Sequence, residues 1–176
     1  LGCAGGVLIT DMDMVPMNRE YYVGHIGNIT NEKFVVYRPV CLVEKELCMC
    51  YNIAVPRTWS DIFGIKNVQD IRDHLVKEYS KVDYDGIHGG KGWQTDQKCL
   101  YEYVVKWDKQ SKGCVFLSDK TTGYRRFDRL YNFNLPIGIY TDYHLHRPYS
   151  QYKQFVDTVV GGLKPSETEI DAHIKL

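Results

Sequence analysis

Val7-Leu8-Ile9-Thr10 stands between Gly5-Gly6 and Asp11-Met12-Asp13, so four apolar or β-branched residues end abruptly in two carboxylates. A compact apolar run bounded by turn residues suits a strand buried in the interior of a sheet. The aspartates then fall at the strand's carboxyl end, where α/β sheets bind their ligands. This segment therefore calls for a sheet with a polar site at its rim.

The rest of the chain supplies matching elements. Residues 34–37, 48–55 and 114–117 have strand-like content, and Pro56 closes the second of these before a helical turn at 59–63. Helical spacing places Val68, Ile71, Leu75 and Tyr79 on one face of a helix over 67–79 that packs on its neighbours, with Asn67 as its cap. A glycine-rich loop, 84–94, then leads into a buried helix carrying Cys99, Leu100, Tyr103, Val104 and Trp107, with Thr95 as a cap. Residues 137–148 alternate so that Tyr140, Asp142, His144 and His146 share one strand face. Ser150 would cap a last helix carrying Tyr152, Phe155, Val156 and Val159, which Gly161-Gly162 would end. Interleaved strands and helices predict an α/β fold. A length of 176 residues suits a single domain, 1–176.

Composition removes several function classes. Twenty-two basic and twenty-two acidic side chains cancel, leaving no global field for nucleic acid or an anionic membrane. No apolar run approaches the roughly 20 residues of a membrane helix, and residues 1–10 lack the pattern of a signal peptide. The six cysteines are too scattered for a disulfide scaffold and are expected to be reduced and mostly buried. Cys48 and Cys50 form half of a metal-site pattern with no second pair at zinc-finger spacing.

Two carboxylates at i and i+2 of an extended turn point the same way and are hard oxygen ligands for Mg²⁺ or Mn²⁺. Such an ion completes its shell with water and substrate phosphate, which makes a diphosphate the natural partner. A capping and turn role for the same aspartates is the plainer alternative. Lys120, Arg125, Arg126 and Arg129 form the one basic cluster, either a solvated loop or a cradle for a departing diphosphate.

"VLITDMDMVPMNREYY" resembles the D-x-D segment of glycosyltransferases with the GT-A fold, and "HGGKGWQTDQKCLYEYV" resembles their glycine-rich loop with an acidic residue at a helix start. "YHLHRP" occupies the late position where many of them supply a metal-binding histidine. The likeness spans about residues 6–165 and is similar to the compact glycosyltransferases of large algal viruses. It implies a Rossmann-like, mixed central sheet flanked by helices. It also implies transfer of a sugar, with inversion, from a nucleoside-diphosphate sugar to a hydroxyl of a glycan or glycoprotein.

Carried over residue by residue, Asp13 would ligate the metal, and Asp11 would touch the donor ribose or the metal through water, beside Met12. His144 or His146 would complete the shell, with His144 preferred slightly, and an imidazole ligand favours Mn²⁺ over Mg²⁺. Asp96 would be the catalytic base that takes the proton of the acceptor hydroxyl. Gly89 and Gly90 would let backbone approach the sugar, His88 and Trp93 would wall the donor or acceptor ring, and Arg126 would meet the donor diphosphate.

Only ten residues precede Asp11, whereas the family's base-binding strands come first, so the chain is expected to be the C-terminal larger part of such a domain. The resemblance implies a cytoplasmic setting, in a host cell if the viral likeness holds, with the Golgi lumen as the alternative. Two other functions fit the composition: a noncatalytic carbohydrate-binding domain, given the fourteen tyrosines and three tryptophans, and a disulfide-stabilised secreted interaction domain.

Overall fold

A computed structural model describes residues 5–127 and 140–161. They form two mixed sheets and six α-helices, an α/β architecture. The chain divides into two compact units, one of Leu1–Met12 with His25–Gly123 and one of Asp13–Gly24 with Tyr124–Leu176.

In the first unit, β1 (Val7–Ile9), β3 (Phe34–Val36), β4 (Asn52–Ala54) and β5 (Cys114–Phe116) make a sheet in the order β1-β4-β3-β5. The β3/β5 pair is parallel and the other two are antiparallel. A 3₁₀ stretch, Pro39–Glu44, lies between β3 and β4. Helix α2 (Pro56–Phe63) starts on the proline that closes β4, where a missing N–H costs nothing, and stops at Gly64 in the left-handed region. Helix α4 (Thr95–Ser111) buries Leu100 and Val104 against Phe34, Val36, Leu47, Ala54 and Ile62, which is the core of this unit. Its first residue is Thr95, whose hydroxyl donates back to the Gly92 carbonyl at 2.6 Å and leaves the cap position to Gln94. Thr95 is therefore no cap.

Helix α3 (Val68–Tyr79) has the predicted span and a complete capping box between Asn67 and Asp70. The expectation that its apolar face packs inward is corrected: none of its residues is buried, and Val68, Leu75 and Tyr79 are 66, 62 and 79% exposed. A short helix, α5 (Asp119–Thr122), is capped by Ser118.

The second unit holds β2 (Met14–Pro16), α1 (Arg19–Gly24), β6 (Arg125–Phe127), β7 (Tyr140–His144) and α6 (Tyr149–Gly161). Strand β7 is central, antiparallel to β2 and parallel to β6. Phe127, Tyr140 and Tyr143 pack with Val156 and Val159 of α6. Ser150 lies inside α6 rather than at its cap. Gly162 and Arg129 lie outside the described residues.

Candidate functional site

The β2/β7 ladder sets Met14 opposite His144, and the Leu145 N–H donates to the Asp13 carbonyl at 2.9 Å, one step beyond that pair. Asp13 stands in the turn before β2, and this backbone bond fixes it beside the end of β7. Its Oδ2 lies 3.1 Å from His144 Nε2 and 3.0 Å from Arg147 Nη2. One carboxylate oxygen thus faces an imidazole and a guanidinium. Both Asp13 and His144 are partly shielded from water, while Arg147 is half exposed.

These donors can be tested against a divalent cation. Two ligands at right angles on an ion with bonds near 2.1 Å lie about 3.0 Å apart, close to the Asp13–His144 separation. A hard oxygen with an imidazole nitrogen suits Mn²⁺ better than Mg²⁺. Among the described residues no group of three or more His, Cys, Asp or Glu side chains is gathered for a metal. An ion here would therefore draw the rest of its shell from water and substrate oxygens, as small hard cations do. The two side chains are joined by a hydrogen bond as they stand, and they would supply at most two ligands to such a cation.

The other residues of β7 serve different ends. Asp142 is fully buried, and Arg126 Nε lies 3.5 Å from it, with Arg126 Nη2 2.7 Å from Met14 Sδ. A buried carboxylate needs such a counter-charge, so the guanidinium expected at the donor is turned onto β7. His146 lies beyond the strand, with Nδ1 hydrogen-bonded to the Tyr143 hydroxyl at 2.7 Å and its ring against Tyr152 and Phe155. Of the two candidate histidines, the structure brings His144 to Asp13 and gives His146 aromatic partners.

Asp11 and Met12 are exposed and belong to the first unit, since the division of the chain falls between Met12 and Asp13. The first unit also holds the glycine-rich loop. The Asp85 carboxylate accepts from the Ile87 and Lys91 N–H groups at 2.9 and 3.0 Å, and Lys91 pairs with Asp83. Gly89 and Gly92 take φ of +74° and +78°, and a Cβ on Gly92 would meet the Asp83 carbonyl oxygen at 2.5 Å. Side chains are thus excluded where the loop folds back on its own backbone. Gly90 packs on the Asp85 carboxylate, and His88 stacks obliquely on Trp93 at 4.3 Å between ring centroids.

Asp96 is exposed in the first turn of α4, where its carboxylate accepts from the Gln97 N–H at 2.8 Å. It lines a groove of about 710 Å³ with Leu75, Tyr79, Tyr84, Trp93 and Glu102. The walls are charged as well as aromatic. The Glu78 carboxyl is held below its ordinary pKa, first by the hydrogen bond from Lys81, and burial pushes the Tyr103 hydroxyl bonded to it up to about 12. Burial also raises the Cys99 thiol, so this cysteine stays protonated at neutral pH.

No family model, curated protein or solved structure matches the chain. Arg147 is the site residue that sequence reasoning passed over. It directly follows the histidine pair, but a side chain reaching back from beyond a strand end leaves no trace in strand alternation. A basic residue beside a candidate metal-ligating histidine is the signal that could have found it.

Proposed function

We propose that this chain is a metal-dependent glycosyltransferase domain of GT-A type, which moves a sugar from a nucleoside-diphosphate sugar to a hydroxyl of a glycan or glycoprotein, with inversion. The observation that carries the reading is the 3.1 Å approach of Asp13 Oδ2 and His144 Nε2, residues 131 positions apart, set by the register of β2 on β7. Two elements singled out for one ligand shell meet at hydrogen-bonding distance, close enough for both to reach a single ion.

In this reading Asp13 and His144 hold Mn²⁺, or Mg²⁺ as the harder alternative. The cation, when bound, offsets the charge that develops on the departing diphosphate. Asp11 and Met12 contact the donor. Asp96, an exposed residue in the lining of an aromatic groove, takes the proton of the acceptor hydroxyl as the sugar carbon is attacked. His88 and Trp93, with Gly89 and Gly90 in the loop between them, offer a ring surface to a sugar.

A thermal-shift panel of nucleoside diphosphates and their sugars, with and without Mn²⁺, tests this on the protein and on Asp13→Ala. At a hundredfold excess over Kd a ligand contributes about 2.7 kcal/mol, or roughly 5–10 °C for a chain of this size. Stabilisation should require both the metal and Asp13. Stabilisation that EDTA and Asp13→Ala leave intact would overturn the metal-site reading.

A noncatalytic carbohydrate-binding domain is the second reading, and the exposed Tyr79, Tyr84 and Trp93 around the groove favour it. Sugar binding indifferent to EDTA and unaccompanied by nucleotide binding would select it. The disulfide-stapled alternative is decided by counting thiols under denaturing conditions: six free thiols would eliminate it, and none would support it.

A further inference from the structure

Asp13 Oδ2 is shared. The oxygen that would ligate a cation lies 3.0 Å from Arg147 Nη2, so a positive charge already occupies its coordination space. The Asp13–Arg147 pair is formally neutral. A bare divalent cation would add two uncompensated positive charges beside a guanidinium, whereas a cation arriving with a diphosphate brings its own counter-charge. Arg126 cannot relieve the conflict or take Arg147's part, because its guanidinium lies at the buried Asp142.

The backbone on either side of Arg147 is held, while its half-exposed side chain is tied through the guanidinium to Asp13. His146, immediately before it, is bonded to Tyr143 and packed on Tyr152 and Phe155. Tyr149, two residues after it, starts α6 and donates to Asp157 at 2.8 Å. Between these anchors Arg147 is 51% exposed, a long side chain on a fixed pivot. A guanidinium displaced from a carboxylate finds an equivalent forked acceptor in a phosphate.

Resting on the donor-site reading above, we infer that Arg147 is a resident counter-ion that blocks Asp13 to a bare cation and transfers to the diphosphate when metal and diphosphate arrive together. Arg147 is then a positioning residue that makes the two ligands bind as a pair. The binding of each raises the affinity for the other by the same factor, as linkage requires. Its removal should act in opposite directions on the two partners, and Arg147→Lys, which keeps the charge and loses the fork, separates the phosphate contact from plain electrostatics.

The test uses the whole chain with Mn²⁺, followed by the electron paramagnetic resonance of the free ion, and inorganic pyrophosphate, followed by calorimetry at fixed excess Mn²⁺. Arg147→Gln should bind bare Mn²⁺ roughly fivefold more tightly than the unaltered protein, the scale of a half-exposed ion pair. The same variant should bind pyrophosphate with Mn²⁺ about tenfold more weakly, having lost a charge-assisted contact. Arg147→Lys keeps the charge without the fork. It should leave bare Mn²⁺ binding weak yet lower pyrophosphate affinity, and it serves if Arg147→Gln proves unstable. Unchanged or weaker Mn²⁺ binding in Arg147→Gln refutes the inference while leaving the donor site standing. If the unaltered protein takes up neither Mn²⁺ nor Mn²⁺-pyrophosphate, the donor-site reading itself fails, and the inference falls with it.

Discussion

Gly89 and Gly92 have nearly the same backbone conformation and very different surroundings, so alanine at each separates two costs that usually come mixed. At Gly89, φ is +74° and a Cβ would enter open space. The substitution pays for a left-handed residue, about 1–2 kcal/mol, less about 0.4–1 kcal/mol from a stiffer unfolded chain. A net loss of about 1 kcal/mol follows. At Gly92, φ is +78°, and the Cβ would also stand 2.5 Å from the Asp83 carbonyl oxygen and 2.9 Å from the Tyr84 Cα. Both are backbone atoms, which no rotamer change can clear, so an overpacking cost of about 1–3 kcal/mol is added.

Gly92→Ala should thus lose about 2–4 kcal/mol, and always more than Gly89→Ala. Urea unfolding followed by tryptophan fluorescence is the suitable assay, because Trp59, Trp93 and Trp107 are the chain's three tryptophans and all lie in the first unit. The midpoint should move with the slope unchanged. Equal losses in the two variants would refute the argument, since they would mean that the loop relaxes around the new methyl. The expected damage extends to function, because the Gly92 carbonyl accepts from both the N–H and the hydroxyl of Thr95, beside Asp96.

Three other outcomes are expected. If the chain transfers a sugar as proposed, Asp96→Asn should slow that step by about 10²–10⁴ while donor binding by thermal shift changes less than about twofold, and an unchanged rate would remove the proposed general-base role. Asn67→Ala should remove about 1 kcal/mol of capping from a helix that buries no side chain. Faster hydrogen exchange should therefore appear in the Gln69–Arg72 amides, with the global midpoint nearly unmoved, and a large global loss would contradict that picture. Burial pushes the Cys114 thiol from 9.0 up to about 12, so at pH 8 it should be alkylated about a thousandfold more slowly than an exposed thiol. Because the folded value is raised, its contribution to stability is complete below pH 9 and is lost as pH rises toward 12. Denaturant midpoints of Cys114→Ala and the unaltered protein at pH 8 and 10.5 check the sign.

Local signals were legible where one residue type controls the outcome. Asn67 caps α3 and Pro56 opens α2, and the spacing of Leu100 and Val104 marks the buried face of α4. What sequence could not carry is set by partners far along the chain. Strand β2 contains a proline and only three residues, and it exists because β7 pairs with it. The two histidines share a parity, so alternation alone could not separate them. The strand ends at His144, and that ending decides which ring meets Asp13. Helix α3 has a core-like stripe, yet burial depends on what the fold sets against it, which no periodicity encodes. In sequence Arg126 belongs to a basic cluster, because its buried partner, Asp142, lies sixteen residues away.

The central place of β7 has a consequence for how such a site can change. Both faces of the strand are packed, so a slip of one residue would exchange Asp142 and His144 for Thr141 and Tyr143 and ruin both layers at once. A slip of two keeps every face and would present Asp142 where His144 now stands. The pleat therefore divides length changes near this strand into forbidden odd steps and even steps that trade an imidazole for a carboxylate. If the site holds a cation as proposed, that second route would shift its preference from manganese toward magnesium without altering a single side chain of the strand.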